Sequence, residues 1–142
     1  MPKKVEFDEE GVVITIPDQK KKIGVRKLAK GSLNEMRPVK DGFKPARLVV
    51  NFELYDEDQP DKYLVEFDAP FEVKVRYTKA DLKRAEEESA PLALGYWDGS
   101  GWVRFTLEKH GFHLVPDANP EKGGFGVLSI KKWGDPPVSW GK

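Results

Sequence analysis

The sequence predicts an all-β fold: an antiparallel β-sandwich, immunoglobulin-like or jelly-roll, of about eight or nine strands with one short helix near residues 79–88. Three observations predict it. Apolar residues recur with a period of two rather than 3.6. The alternating runs are short and are separated by Gly, Pro, Asp and Asn, the punctuation of a sandwich. No run reaches the roughly eighteen apolar residues that a membrane-spanning helix needs. At 142 residues the chain is expected to form one domain over 1–142.

The elements follow in order. Residues 12–16 and 23–28 are the first two runs. Ala46, Leu48, Val50, Phe52 and Leu54 then alternate with Arg47, Val49, Asn51 and Glu53, which predicts that the first set faces inward. Residues 63–67 follow a reversal at Pro60-Asp61. Phe71, Val73, Val75 and Tyr77 alternate with Glu72, Lys74 and Arg76, a half-buried strand. Thr78 is placed to cap a helix of two or three turns that crosses between sheets, with Leu82 and Ala85 inward. Lys83–Glu87 and Arg84–Glu88 are spaced to pair, while Glu86, Glu87 and Glu88 oppose the helix dipole and keep it short. Residues 92–97 and 102–107 form a hairpin about Asp98-Gly99-Ser100-Gly101. Residues 112–115 and 125–133 complete the strands, with reversals at Asp117-Ala118-Asn119-Pro120 and Gly123-Gly124. Residues 29–45 form a long irregular connection. The tail over 134–140 contains Pro136 and Pro137, which lack ladder donors, so it is expected outside central strand positions.

Residues 71–107, with V-K-V-R-Y-T-K-A-D-L and then P-L-A-L-G-Y-W-D-G-S-G-W, resemble immunoglobulin-like β-sandwich modules of bacterial multidomain and envelope proteins. In those modules an alternating strand ends in Tyr, a short helical crossover follows, and a hairpin carries Tyr/Trp, Asp-Gly and a second Trp. The resemblance implies a non-catalytic spacer, adhesion part or interaction surface. It transfers no binding residue.

Composition excludes several classes. Lys and Arg number 24 and Asp and Glu number 24, so the net charge is zero. That rules out nucleic-acid wrapping by bulk charge and an acidic disordered chain. Charged residues make up 34% while uncharged polar residues are scarce, a trend of thermostable proteins and of engineered ones. The absence of cysteine excludes disulfides, thiol catalysis and thiolate metal sites. Met1-Pro2-Lys3-Lys4 leads into Val5-Glu6-Phe7-Asp8 without an apolar core, so no signal peptide is expected. An extracellular or envelope location would require a leader already removed.

Four constellations could carry chemistry. Trp97, Trp102 and Trp140 with Asp98 suggest a carbohydrate platform, since planar rings present apolar faces to sugar C–H groups. Parity puts Trp97 and Trp102 on the face away from Leu92, Leu94 and Tyr96, where they also suit a cross-strand pair. Residues 20–47 carry a net charge of +8 and residues 53–68 a net charge of −6. Lys20, Lys21, Lys22, Arg26, Lys27 and Lys30 are thus a candidate basic patch for an anionic partner, or for an oppositely charged strand alongside. That stretch lacks the aromatic residues that single-stranded bases would stack on. Asp56, Asp58 and Asp61 are candidate calcium ligands in an acidic loop without the EF-hand pattern. His110 and His113 are the only histidines and have no thiolate to complete a zinc site.

Catalysis finds little support. No G-x-S-x-G elbow occurs, and Gly123-Gly124-Phe125-Gly126 precedes a strand where a phosphate cradle must open a helix. The expectation is therefore a non-catalytic structural or interaction module without a cofactor, self-assembling or envelope-associated. Its partner would be a protein or a second copy. Carbohydrate binding is the alternative, with anionic-partner binding through residues 20–47 as a third. Insertion into a membrane is not expected.

Overall fold

The computed structural model describes residues 3–18, 22–29, 31, 42–64, 66–133 and 137–142, with side chains 60, 62–64, 66, 68 and 120 left aside. Within these, the chain is an antiparallel β-sandwich. Its strands are β1 (Lys3–Phe7), β2 (Val12–Ile16), β3 (Ile23–Leu28), β4 (Pro45–Asp56), β5 (Gln59–Leu64), β6 (Glu66–Tyr77), β7 (Ala93–Trp97), β8 (Trp102–Arg104), β9 (His113–Pro116), β10 (Gly124–Lys132) and β11 (Val138–Gly141). Two helices interrupt them, α1 (Lys79–Glu87) and the single turn α2 (Leu107–His110). One sheet runs β1-β2-β6-β10-β9 and the other β3-β4-β11-β7-β8, with β5 paired to β4.

Alternation builds the core. Val12, Ile14 and Ile16 on β2, Phe71, Val73, Val75 and Tyr77 on β6, and Leu128 and Ile130 on β10 are buried from the first sheet. Phe52 and Leu54 on β4, Leu94 on β7, and Val138 and Trp140 on β11 meet them from the second. Each such side chain contributes about 1.5–3 kcal/mol relative to exposure. Trp133 is buried in this core, stacked on Phe52 at 4.5 Å between ring centroids. Its indole N–H donates to the Phe52 carbonyl, 3.0 Å away, so the buried donor is satisfied.

The alternation of β4 differs from expectation. Val138 pairs with Val50 but Ser139 pairs with Leu48, leaving Val49 as an extra residue. This is a β-bulge, and it reverses which face each residue takes. Beyond it Val50, Phe52 and Leu54 face the core as predicted, and Val49 is buried as well. Before it Ala46 is exposed, and Leu48 packs instead with Phe43, Ala93, Trp97 and Trp102 in a second, smaller apolar cluster.

The tail also departs from expectation. β11 is a central strand, lying between β4 and β7. The prolines precede the paired span: Val138, Ser139, Trp140 and Gly141 all carry N–H groups, and Pro137 contributes its carbonyl to the Trp97 N–H at 3.0 Å. With β1 and β11 added to the nine expected, the described strands number eleven.

Helix α1 forms where expected and crosses from the first sheet to the second. The Thr78 hydroxyl accepts from the Asp81 N–H while the Asp81 carboxylate accepts from the Thr78 N–H, a reciprocal capping box. Ala85 is buried and Leu82 packs on the core. The expected Arg84–Glu88 pair does not form. Arg84 turns back to Asp81 at 3.1 Å, and Glu88 meets Lys142 at 3.0 Å.

Candidate functional site

The tryptophans do not form a sugar platform. Trp97 and Trp102 are paired across the hairpin, as parity predicts, with ring centroids 5.9 Å apart. Yet Trp102 is fully buried, because Phe43, Ala93 and Leu48 cover that side of the sheet. Gly95 makes this possible: a Cβ there would lie 2.6 Å from the Phe43 ring. Trp140 is fully buried in the main core, its N–H donating to the Arg76 carbonyl at 2.9 Å. Asp98 caps the hairpin turn, its Oδ1 accepting from the N–H groups of Ser100 and Gly101, each at 2.9 Å. The four residues proposed for carbohydrate are thus a half-buried ring, two core rings and a turn cap.

The acidic loop does not converge either. Asp56 Oδ1 accepts from the Asp58 N–H at 3.0 Å, closing the turn between β4 and β5. Glu57 pairs with Lys3. No group of three or more His, Asp or Glu placed to hold a metal occurs among the described residues, so Asp56, Asp58 and Asp61 are not gathered into one.

Lys20, Lys21 and Lys30 lie outside the described residues. Of the rest of the basic patch, Arg26 bonds Glu53, its partner across the β3–β4 ladder, at 3.0 Å and lies over the Tyr55 ring. Lys27 bonds Glu10 at 2.8 Å, and that hydrogen bond raises its pKa above the ordinary lysine value. Opposite charges neutralise one another here, from the neighbouring strand for Arg26 and from the β1–β2 turn for Lys27, and Lys22 alone of the described three has no such partner among the contacts described.

The strongest electrostatic arrangement involves Asp81, which composition and spacing did not single out. Arg47 Nε lies 2.9 Å from Asp81 Oδ1 and Arg47 Nη2 lies 2.6 Å from Oδ2, a bidentate pair. Burial of Asp81 pushes its carboxyl up, but the Arg47 bonds, the Thr78 N–H and hydroxyl and the Arg47 charge outweigh it and hold the carboxyl below the usual range. A buried carboxylate with a shifted pKa is a usual mark of catalysis. Here both oxygens are occupied, by Arg47 bonds that fix α1 to β4 and by Thr78 and Arg84 within the helix and its cap, and Asp81 does not line either of the cavities described below. The signal in the sequence was Thr78-x-x-Asp81, the spacing of a capping box.

The histidines flank α2. Thr106 caps this turn through its hydroxyl, which accepts from the Lys109 N–H at 3.1 Å, and Gly111 ends it with φ of +62°. His110 folds back so that its Nδ1 accepts from the Thr106 N–H at 3.1 Å. Burial, with the nearby Lys109 charge, lowers its pKa and favours the neutral ring. The Thr106 bond then assigns the ring proton to Nε2. His113 is exposed on β9 and bonds the Gly111 carbonyl.

Two cavities border this segment. One, of about 640 Å³, is lined by Tyr96, Phe105 and Trp133 together with His110, Ser129, Ile130, Pro70 and three lysines. The other, of about 600 Å³, shares Phe105 and is bounded by Leu92, Thr106, Phe112, Arg104 and Lys142 among others. Among the described residues lining either cavity none is acidic, so neither holds the convergent carboxylates of a glycosidase. Beside them, β9 forms one edge of the first sheet, and all four of its residues are exposed. Leu114 and Val115 keep 36% and 44% of their surface in water, and Leu107 on α2 keeps 69%.

No helix among the described residues is long and apolar enough to cross a membrane. No protein-family model matches the sequence, and neither the curated proteins nor the solved structures contain a significant match to it.

Proposed function

We propose that the chain is a non-catalytic structural module that associates with a second copy of itself through the edge strand β9. The exposure of Leu114 and Val115 on an edge carries this reading. A sheet edge presents unpaired N–H and C=O groups, and proteins usually blunt it with charge, proline or brevity. The edge strands β1, β3 and β8 are blunted in that way. β1 carries Lys3, Lys4 and Glu6, β3 carries Arg26 and Lys27, and β8 has only three residues. β9 is also short and ends in Pro116, but among the described residues it is the edge strand that leaves two large apolar side chains exposed, Leu114 and Val115. A net charge of zero removes the repulsion that keeps copies apart. Antiparallel pairing of β9 with its own copy is two-fold symmetric and closes into a dimer.

Light scattering coupled to gel filtration tests this. The expected result is a dimer whose fraction rises with concentration and which Val115→Lys converts to monomer. A monomer at all concentrations, or a dimer indifferent to Val115→Lys, overturns it.

A further inference from the structure

We infer that the 640 Å³ cavity between α2, β7 and β10 binds a small organic carboxylate with an apolar body. Its size lies within the roughly 300–1,000 Å³ of small-molecule sites. Its wall divides by chemistry. Phe105, Trp133 and Ile130 are 4%, 4% and 6% exposed, so they close the apolar side of the cavity, and the half-buried Tyr96 ring completes it. That surface suits an aryl or short alkyl group.

The polar part of the wall is cationic or donating. Lys109, Lys131 and Lys132 contribute to it, and no described lining residue is acidic. Trp133 offers no donor, since its N–H is bonded to Phe52. His110 does offer one. With Nδ1 accepting from Thr106, the ring N–H sits at Nε2, and the ring stands edge-on to Phe105 at 5.0 Å and 88°. A carboxylate placed near α2 would meet ammonium groups and this N–H while its body lies along Phe105 and Ile130. Hydrogen bonds to ionised groups are about twice as strong as neutral ones, so charge rather than shape should set the preference. The site comes from residues on four elements and does not depend on how β9 pairs.

The test uses 4-phenylbutyrate and its uncharged analogue 4-phenylbutanol, titrated against the full chain and followed by calorimetry and by amide shifts. Phenylbutyrate should bind about tenfold or more tighter than the alcohol, which corresponds to about 1.4 kcal/mol. The shifts should centre on residues 105–110 and 129–133. A Lys109→Glu/Lys131→Glu variant changes exposed side chains only, and it should lose that preference while binding the alcohol as before. No phenylbutyrate binding at millimolar concentration, equal affinity for the alcohol, an unaffected charge-reversed variant, or shifts elsewhere on the sandwich would each overturn the assignment. Because no arm reads oligomeric state, failure here leaves the β9 dimer standing, and the reverse also holds.

Discussion

Arg47 reaches Asp81 because β4 bulges at Val49, two residues further along the strand. Under strict alternation Arg47 would share the outward face with Asn51 and Glu53. The extra residue turns it toward α1, where it satisfies a carboxylate that is 1% exposed. The ladder shifts again between Arg47 and Pro45, so the residue that pairs the buried charge sits between two backbone irregularities.

Asp81→Asn should destabilise the fold by about 3 kcal/mol at pH 7, the lower end for breaking a buried pair because Arg47 keeps 38% of its side chain in water. Asp81 has a lower pKa folded than unfolded, so its stabilisation is present above about pH 4 and lost as pH falls through that range. Urea unfolding at pH 7 and pH 3 should therefore show the difference between wild type and variant shrinking in acid. An equal difference at both values would refute the linkage.

Ser89→Gly should stabilise. Helix α1 ends with Ser89 at φ of +57°, its N–H donating to the Glu86 carbonyl while the Ala90 N–H donates to the Ala85 carbonyl. That ending favours glycine, and a side chain in this conformation costs about 1 kcal/mol. A rise in melting temperature of about 2–4 °C is expected by calorimetry.

Gly95→Ala should cost about 1–3 kcal/mol, since the added methyl overlaps the Phe43 ring, which is fully buried in the second cluster. Chemical denaturation reads the loss. Near-ultraviolet circular dichroism should change with it, because Trp102 lies 5.9 Å from the Phe43 ring.

His110 should make stability fall on mild acidification. Its pKa is lower folded than unfolded, so the neutral ring's contribution is complete above about pH 6.5 and is lost as pH drops below that value. Protonation at Nδ1 would also set it against the Thr106 N–H. Between pH 7.5 and pH 5 the melting temperature of wild type should drop more than that of His110→Asn. Parallel curves would show that His110 does not contribute.

The regular parts of the sandwich were legible because period-two patterning is written one residue at a time. β2, β6 and β10 and the Thr78 cap follow directly from it. The bulge at Val49 was not legible, since a register slip depends on the partner strand and leaves the local pattern unchanged. Trp102 was placed on the correct side of its strand, but its burial depends on Phe43, which comes from the long irregular connection. Two prolines hid β11, though the rule against proline applies only to residues that must donate to the ladder. α2 has four residues, too few to show a helical period. The cavity at His110 draws its wall from positions 70, 96, 105 and 129–133, which nothing in linear order connects.

The place of β11 between β4 and β7 has a consequence for how the protein is made. A growing polypeptide on the ribosome holds both neighbours long before the strand that joins them exists, because Val138 must pair with Val50 on one side and Tyr96 on the other. Until residue 141 has emerged, the second layer stays split and Leu54, Phe52 and Leu94 lack a complete lid. Vectorial synthesis therefore leaves a half-built layer with exposed apolar surface until the last strand arrives.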